Sequence, residues 1–321
     1  MRTGPSAVPG RSEAADAPPR GAASASERRG PRTAWAAHTA LLPMGATVLV
    51  AYVASILWTL RISLSNSKML PRNDWAGVAQ YVNLFESDRW LTALANIGLF
   101  GLFFIAGAVV IGFLLAVFID QKVRLEGVFR TLYLYSFAMS FVACGVIWQW
   151  MFNPTLGIQR SLRSWGWESA RFDWITTQDM AIYCVVIAVL WHSAGLVMAI
   201  LLAGLRGIDD ELWKAARIEG VPRWRYYQSI VLPQLGPSLG TAVVLLAVSV
   251  VKLFDAVVAM TNGGPGDATD VPTKFIIDNL FERQNIGLAS AASVTMLVTV
   301  VIIVAPMVYA RSRANAAAGR A

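Results

Sequence analysis

Residues 91–119 read LTALANIGLFGLFFIAGAVVIGFLLAVFI, an apolar stretch without a single charged side chain. About 20 apolar residues are enough for a helix to cross the roughly 30 Å of hydrocarbon in a bilayer. Inside that layer every backbone polar group needs a partner within the protein, and a helix supplies one. The stretch therefore predicts a membrane-spanning helix.

Five further stretches meet the same criterion. Asn153-Pro154 ends the third of the six, and Pro233 with Pro237 delays the start of the fifth. The sequence therefore predicts an all-α, polytopic membrane domain over 35–311. Its six transmembrane helices are predicted at 38–61, 91–119, 128–151, 180–204, 237–260 and 286–310.

The composition agrees with a membrane protein. Hydrophobic residues make up 56% of the 321 residues, charged residues only 15%, and the mean hydropathy is +0.52. Soluble domains carry roughly 25% charged residues, so the composition argues against a soluble enzyme. A net charge of +7 would suit nucleic acid in a soluble protein. Here the basic residues lie between apolar spans, so membrane lipid is the expected partner and nucleic acid is not.

The positions of Lys and Arg predict the orientation. With the N-terminus inside, the cytoplasmic segments hold 17 basic residues and the opposite loops hold 9. Basic loops stay inside, so both termini are expected in the cytoplasm. Residues 1–34 are predicted to be a disordered cytoplasmic tail, and 312–321 a second cytoplasmic tail. Arg28-Arg29 resembles a twin-arginine export signal, but the apolar stretch that follows is long enough to span, which favours an uncleaved first helix.

The sequence offers no chemistry for an enzyme. Cys144 and Cys184 lie in apolar segments without metal-site or disulfide spacing. No G-x-x-x-x-G-K-[ST] loop occurs, and no Ser/His/Asp, metal-ligand or paired-carboxylate cluster is evident. The chain is therefore expected to bind no metal and no cofactor, and not to hydrolyse ATP.

The loop between the fourth and fifth spans, 205–236, is unusually long and reads as two short helices. Asp209 or Asp210 is expected to cap the first helix, and Gly220 to end it. Pro222 is expected to begin the second helix and Pro233 to end it. The alternative is an amphipathic hairpin that lies on the lipid surface, for which its aromatic and basic residues are suited.

This loop resembles the E-A-A-x3-G-x9-I-x-L-P motif of ABC-importer permeases. The matching positions are Lys214, Ala215, Ala216, Glu219, Gly220, Ile230, Leu232 and Pro233. The resemblance implies that the first helix is a coupling helix, which docks into a cleft of the ATP-hydrolysing subunit. Lys214 stands where the family has Glu, so a salt bridge from that position is not carried over. Glu219 takes the place of the usual Asp before the Gly.

A second segment, Phe254-Asp255 through Met260-Thr261-Asn262-Gly263-Gly264-Pro265-Gly266, resembles permeases of the maltose-permease type. Other stretches, such as 165–168 and 202–207, are similar to glucose/mannose and α-glucoside importer permeases. The resemblance implies a bacterial inner-membrane sugar permease working by alternating access. It also implies a second related permease, two ATP-binding subunits that hold ATP and Mg, and an external sugar-binding protein.

Polar and aromatic side chains within the spans are candidates for the substrate path. Lys252 and Asp255 are three residues apart and are expected to share a helix face, either lining a cavity or neutralising each other. The remaining candidates are Trp191, His192, Trp148, Gln149, Asn96, Tyr133 and Asn262. For His192 the alternative is a packed, hydrogen-bonded helix residue. Trp58, Trp90 and Trp150 lie at predicted span ends and are interpreted as interface anchors.

Two alternatives concern larger features. The outer loop 151–179, rich in Trp, is expected to be a helix on the outer leaflet or part of a docking surface for the binding protein. A secondary transporter driven by an ion gradient is the alternative function. It would need a mid-membrane acid and internal repeats, and Asp255 is the only acid within any predicted span.

Overall fold

The computed structural model describes residues 42–72, 74–121 and 124–318. The predicted tail 1–34, with Arg28-Arg29, lies outside these residues. The chain divides into two units, Met1–Ser55 and Ile56–Ala321. The described part of the first unit is helical and exposed, and it belongs to helix α1, Leu42–Ser63, which contains a π-helical stretch at Leu49–Ala54.

The second unit is built from helices, as the sequence predicts. In chain order they are α2 (Ala79–Phe85), α3 (Asp88–Asp120), α4 (Glu126–Ala138), α5 (Phe141–Met151), α6 (Ile158–Ser164), α7 (Gln178–Leu205), α8 (Asp210–Ile218), α9 (Arg223–Gln234), α10 (Gly236–Val251), α11 (Asp255–Met260), α12 (Pro272–Ile277) and α13 (Ile286–Ala318). A π-helical turn, Asp278–Glu282, extends α12.

The centre of this unit is the pair α3 and α7. Both run through predicted spans with few charges, and they pack along much of their length. Phe100, Phe104, Val185 and Met198 are fully buried between them and their neighbours. Helices α4 and α10 pack on the same pair, so α3 and α7 hold the remaining elements in place.

The third predicted span, 128–151, is not one helix. It consists of α4 and α5, which meet at an angle of 101° around Met139 and Ser140. Ser140 has an extended backbone, and its hydroxyl accepts the N–H of Ala143 at 3.1 Å. A serine in this position caps a new helix instead of continuing the old one, which the count of apolar residues could not reveal.

The fifth predicted span, 237–260, is also interrupted. Helix α10 ends at Val251, and α11 begins only at Asp255. We call the intervening residues Lys252–Phe254 the α10–α11 break. The hydroxyl of Thr273, in α12, donates to the Val251 carbonyl at 3.1 Å. The side chain of Thr273, which is distant in sequence, thus acts as the partner for a carbonyl that has no hydrogen bond within the interrupted helix.

The sequence suggested that Pro233 ends the second helix of the 205–236 loop, but the helix continues past this proline to Gln234. Pro233 lies inside α9, directly after a π-helical turn at Tyr227–Val231. The wider turn shifts the hydrogen-bond register, so that the Leu232 N–H donates to Tyr227 five residues earlier. The missing N–H of the proline is accommodated there, and α9 continues to Gln234.

The number of spans stays a prediction. Within the described ranges, α1, α3 and α7 are each long and apolar enough to cross a membrane. The bent pairs α4–α5 and α9–α10 meet the criterion only when each is taken together. Helix α13 is apolar over Ile286–Ile302 and continues to Ala318, beyond the predicted end at 310.

Candidate functional site

Helix α8 has defined stops at both ends. The carboxylate of Asp209 accepts the N–H of Glu211 at 2.9 Å, so Asp209 is the cap that the sequence predicted at 209 or 210. At the other end Gly220 has a φ of +69°, and the Val221 N–H donates back to the Ala216 carbonyl at 2.9 Å. This left-handed helix ending costs an L-residue about 1–2 kcal/mol, which glycine avoids.

The inner face of α8 fixes the helix to the rest of the unit. Ala216 is only 4% exposed and belongs to the main core together with Tyr226 and Val231. The Trp213 and Tyr226 rings meet edge to face, with centroids 4.7 Å apart. Two helices held together in this way form a compact hairpin, which we call the α8–α9 hairpin.

The outer face of α8 is apolar and open. Leu212, Ala215 and Ile218 lie on one side of the helix, and all three are exposed. Ile218 is 87% exposed, the highest value among the large apolar side chains of the described residues. Lys214 and Glu219 are exposed on the same short helix. An apolar helix face that none of the described residues covers is typical of a surface that docks into a groove of another protein.

A cavity of about 1070 Å³ lies beside the α8–α9 hairpin. Its wall combines the end of α3, the start of α4 and the end of α7 with the hairpin itself. Arg206 and Glu126 form an ion pair within this wall. The hairpin and the ends of three core helices therefore line one cavity. Of its other predicted residues, Ile230 is half-buried, and Leu232 and Pro233 are exposed.

Lys252 and Asp255 do not share a helix face. Lys252 is the first residue of the α10–α11 break, and Asp255 is the first residue of α11. Both side chains are exposed, and the structure records no ion pair between them. The expectation of a shared helix face is therefore wrong, because helical spacing holds only within a continuous helix. Of the two alternatives for this pair, the arrangement argues against mutual neutralisation.

Trp148, Trp191 and His192 lie together. The two indole rings are in edge contact with centroids 6.0 Å apart, and Trp191 is 39% exposed. His192 is 2% exposed, stacks on Phe141 and lies with Nε2 3.0 Å from the Met139 carbonyl oxygen. This carbonyl lies at the bend between α4 and α5. The alternative reading of His192, as a packed and hydrogen-bonded residue, therefore describes its surroundings.

Gln149 faces a small pocket of about 390 Å³. The same pocket is lined by Thr261, Gly264 and Pro265, from the segment that resembles carbohydrate permeases. Asn262, in the same segment, is exposed and has a φ of +49°. The structure thus brings Gln149, on α5, and the segment that follows α11 together around one pocket.

Asn96 and Tyr133 have other surroundings. The amide nitrogen of Asn96 donates to the Asp270 carbonyl at 2.9 Å and approaches that of Asp267 at 3.4 Å. Asn96 thereby attaches the loop after α11 to α3. The Tyr133 ring is partly buried against the main core, where α4 packs on α7.

A group of charged residues that the sequence reasoning missed lies where α3 begins. The Arg89 guanidinium donates to Asp270 at 2.5 Å and also to Asp278, and the Lys274 ammonium donates to Asp278 at 2.6 Å. We call Arg89, Asp270, Lys274 and Asp278 the charge cluster. Their side chains are at most 14% exposed. The exposed Asp267 carboxylate also lies 3.5 Å from the Arg89 guanidinium, at the edge of the cluster. Within the cluster two cations balance two carboxylates, and removing one member of such a buried set costs about 3–5 kcal/mol.

The carboxyl groups of the cluster respond differently to their surroundings. Burial raises the pKa of Asp270 above its ordinary value, although Arg89 opposes this shift. Burial alone would also raise the pKa of Asp278, but the hydrogen bonds from Lys274 and Arg89 together outweigh it and hold that pKa below its ordinary value. Asp278 is therefore the carboxylate that both cations stabilise.

Aromatic rings cover the charge cluster. Trp90 is fully buried, with its ring centroid 5.2 Å from that of Phe275, and the Arg89 guanidinium lies 5.5 Å from the same Phe275 centroid. The interpretation of Trp90 as an interface anchor is therefore wrong. A Trp at the end of a predicted span can be an interface anchor or a buried core residue, and only its packing in the structure distinguishes these two roles. In the described ranges no group of His, Cys, Asp and Glu could hold a metal ion.

Comparison with known proteins identifies the family. Residues 108–314 match the family described as binding-protein-dependent transport system inner membrane component. A probable ABC transporter permease of Pyrococcus horikoshii is 33% identical over 271 residues, which cover 84% of this chain and 93% of that relative. A trehalose/maltose transport system permease of Thermococcus litoralis is 27% identical over 271 residues, or 84% and 91% of the two chains. The chain belongs to this family of inner-membrane transport components, which are not enzymes.

The fold agrees with the same family. A chain in the crystal structure of a bacterial alginate ABC transporter, in complex with an alginate pentasaccharide-bound periplasmic protein, superposes with a TM-score of 0.74. The match covers 86% of this chain and 93% of that chain at 19% identity. At this identity the similarity concerns the fold alone.

Proposed function

We propose that the chain is one transmembrane subunit of an ATP-driven ABC importer for a sugar, working by alternating access. The observation that carries this proposal is the open apolar face of α8, on a helix with defined stops at both ends whose opposite face is buried in the main core through Ala216. Family membership supplies the transport role. The complex would contain a second related permease, two ATP-binding subunits that hold ATP and Mg, and an external sugar-binding protein.

In this proposal α8 is the coupling helix. Leu212, Ala215 and Ile218 enter a cleft of the ATP-binding subunit, and the Gly220 turn fixes the angle at which they do so. When ATP closes the pair of ATP-binding subunits, the α8–α9 hairpin moves with them and displaces the ends of α3, α4 and α7. Lys214 is exposed and free to meet an acidic group of the partner, the reverse of the charge that the family has there.

For the sugar we propose glucose or mannose, or an α-glucoside. The segments similar to glucose/mannose and α-glucoside permeases support this choice. The relative that carries trehalose and maltose supports it too, because both are α-linked glucose disaccharides. The proposed path contains Asp255 and Lys252 at the α10–α11 break, the Trp148–Trp191 pair, and Gln149 beside the Thr261–Pro265 segment. Aromatic faces stack on sugar C–H groups, while polar groups bind hydroxyls.

The orientation of the chain follows from the same proposal, with both termini and the α8–α9 hairpin in the cytoplasm. A cysteine placed at Ser229, in the hairpin, is expected to react with a membrane-impermeant maleimide only from the cytoplasmic side. A cysteine at Ser169, in the outer loop, is expected to react from outside. Both positions are exposed, and the native Cys144 and Cys184 are buried.

The measurement compares labelling of intact cells with labelling of inverted vesicles, with the cysteine-free chain as the control. The reverse pattern would place the α8–α9 hairpin where no ATP-binding subunit could reach it, and would contradict the proposal.

A further inference from the structure

The loop between α11 and α13 is attached to the membrane helices at three points. The charge cluster joins α12 and its π-helical turn to Arg89 at the start of α3. Asn96, two turns further along α3, binds the carbonyl of Asp270. Thr273 then donates its hydroxyl to the carbonyl of Val251, where α10 ends. One short helix, α12, therefore connects the charge cluster to the α10–α11 break.

We propose that the charge cluster is a positioning device that acts through α12 and Thr273 to hold the α10–α11 break in its observed shape. Lys252 is the first residue of that break and Asp255 directly follows it, so the cluster determines where these two side chains lie on the proposed sugar path. The functional consequence rests on the proposed function above. The positioning itself does not.

The geometry of the cluster suits this task. Arg89 is a planar donor that bonds to Asp270, just before α12, and to Asp278, just after it. Lys274 lies on α12 between the two carboxylates and bonds to Asp278 at 2.6 Å. The two ends of α12 are thus held by one guanidinium. Because the members are buried and their charges balance, movement of α12 would separate opposite charges away from water.

The cluster also contacts the segment that resembles carbohydrate permeases. Gly263 is buried with a φ of +89°, and a Cβ added there would lie 3.1 Å from Cε of Lys274. The Thr261 and Thr269 hydroxyls are hydrogen-bonded to each other at 2.7 Å across this turn. The turn therefore packs against the aliphatic part of Lys274, so the pocket that Gln149 shares with this segment depends on the same cluster.

The test uses Leu253, which lies inside the break and is 4% exposed. A cysteine at this position, in a full-length chain whose Cys144 and Cys184 are replaced by alanine, reacts with a maleimide only when the break opens. Thr273→Val removes the hydrogen bond to Val251 and keeps the shape of the side chain. Its labelling rate at position 253 in native membranes is expected to rise about fivefold, the population change that loss of one hydrogen bond produces.

Thr295→Val is the matched control, because the Thr295 hydroxyl bonds only to Ala291 of its own helix. It should leave the labelling rate unchanged. Arg89→Lys keeps the charge balance but replaces the planar fork by a single ammonium, which cannot reproduce the paired geometry. Its labelling rate is expected to rise as much as that of Thr273→Val.

Equal rates in Thr273→Val and Thr295→Val would overturn the proposal. A higher labelling rate in Thr273→Val but not in Arg89→Lys would also contradict the proposal, because the hydrogen bond of Thr273 would then hold the break without the charge cluster. Transport is not measured in this experiment. A negative labelling result would therefore not contradict the proposed function. Likewise, if the proposed function were wrong, the expected labelling rates would stay the same.

Discussion

Replacing Gly220 by valine is expected to abolish sugar uptake while the chain stays in the membrane at normal abundance. The φ of +69° at this position is strongly unfavourable for a β-branched residue. The last turn of α8 would rearrange, the hydrogen bond from Val221 to Ala216 would be lost, and Ile218 would point elsewhere. A docking face that is turned away from its cleft cannot transmit movement.

Gly166→Val is the matched control for this prediction. Gly166 also has a positive φ, of +100°, and a Cβ there would likewise meet no atom within 4 Å. It lies in the outer loop 151–179, remote in the proposed orientation from the ATP-binding subunits. Uptake and abundance are measured in cells that express the assembled complex. Normal uptake with Gly220→Val, or equal losses in both variants, would mean that α8 is not the coupling element.

Replacing Asp255 by asparagine is expected to raise the half-saturating sugar concentration at least about tenfold, because charge-assisted hydrogen bonds to sugar hydroxyls contribute about 1.5–3 kcal/mol each. Asparagine keeps the size of the side chain and removes its charge. Because Lys252 and Asp255 form no ion pair, the substitution strands no buried cation. Abundance and basal ATP hydrolysis by the complex should therefore persist.

Asp179→Asn separates this effect from a general one. Asp179, like Asp255, is an exposed carboxylate in the first turn of a helix, so both substitutions lose an interaction of the same kind with the N-terminus of a helix. Uptake is measured with radiolabelled maltose, trehalose and glucose over a range of concentrations. If the half-saturating concentration of Asp255→Asn equals that of Asp179→Asn, Asp255 does not contact the sugar.

Sequence reasoning succeeded where a local rule decides the structure. The apolar stretch 91–119 corresponds to α3, and 180–204 corresponds to α7. A long apolar stretch that must satisfy its own backbone polar groups has few alternatives to a helix. The same holds for α8, where Asp209 and Gly220 act within one turn of the helix ends. Caps depend on residues close in sequence, so they can be read directly.

The breaks and the charge cluster could not be found in this way. The α10–α11 break depends on Thr273, more than twenty residues further along the chain, and the bend at Met139 is held by His192 from α7. A signal for the cluster did exist. Asp270, Lys274 and Asp278 recur every four residues, as on one helix face, in the segment between the fifth and sixth predicted spans. The sequence does not indicate that Arg89 is the common partner of Asp270 and Asp278.

The most direct test of the central claim is sugar uptake by membrane vesicles that contain the chain with its partner permease, ATP-binding subunits and sugar-binding protein. Radiolabelled maltose, trehalose and glucose are supplied with or without ATP, and with or without an ionophore that collapses ion gradients. An ATP-driven importer accumulates at least one of these sugars only when ATP is present, and the ionophore leaves that uptake intact. Uptake that continues without ATP and disappears with the ionophore would contradict the account.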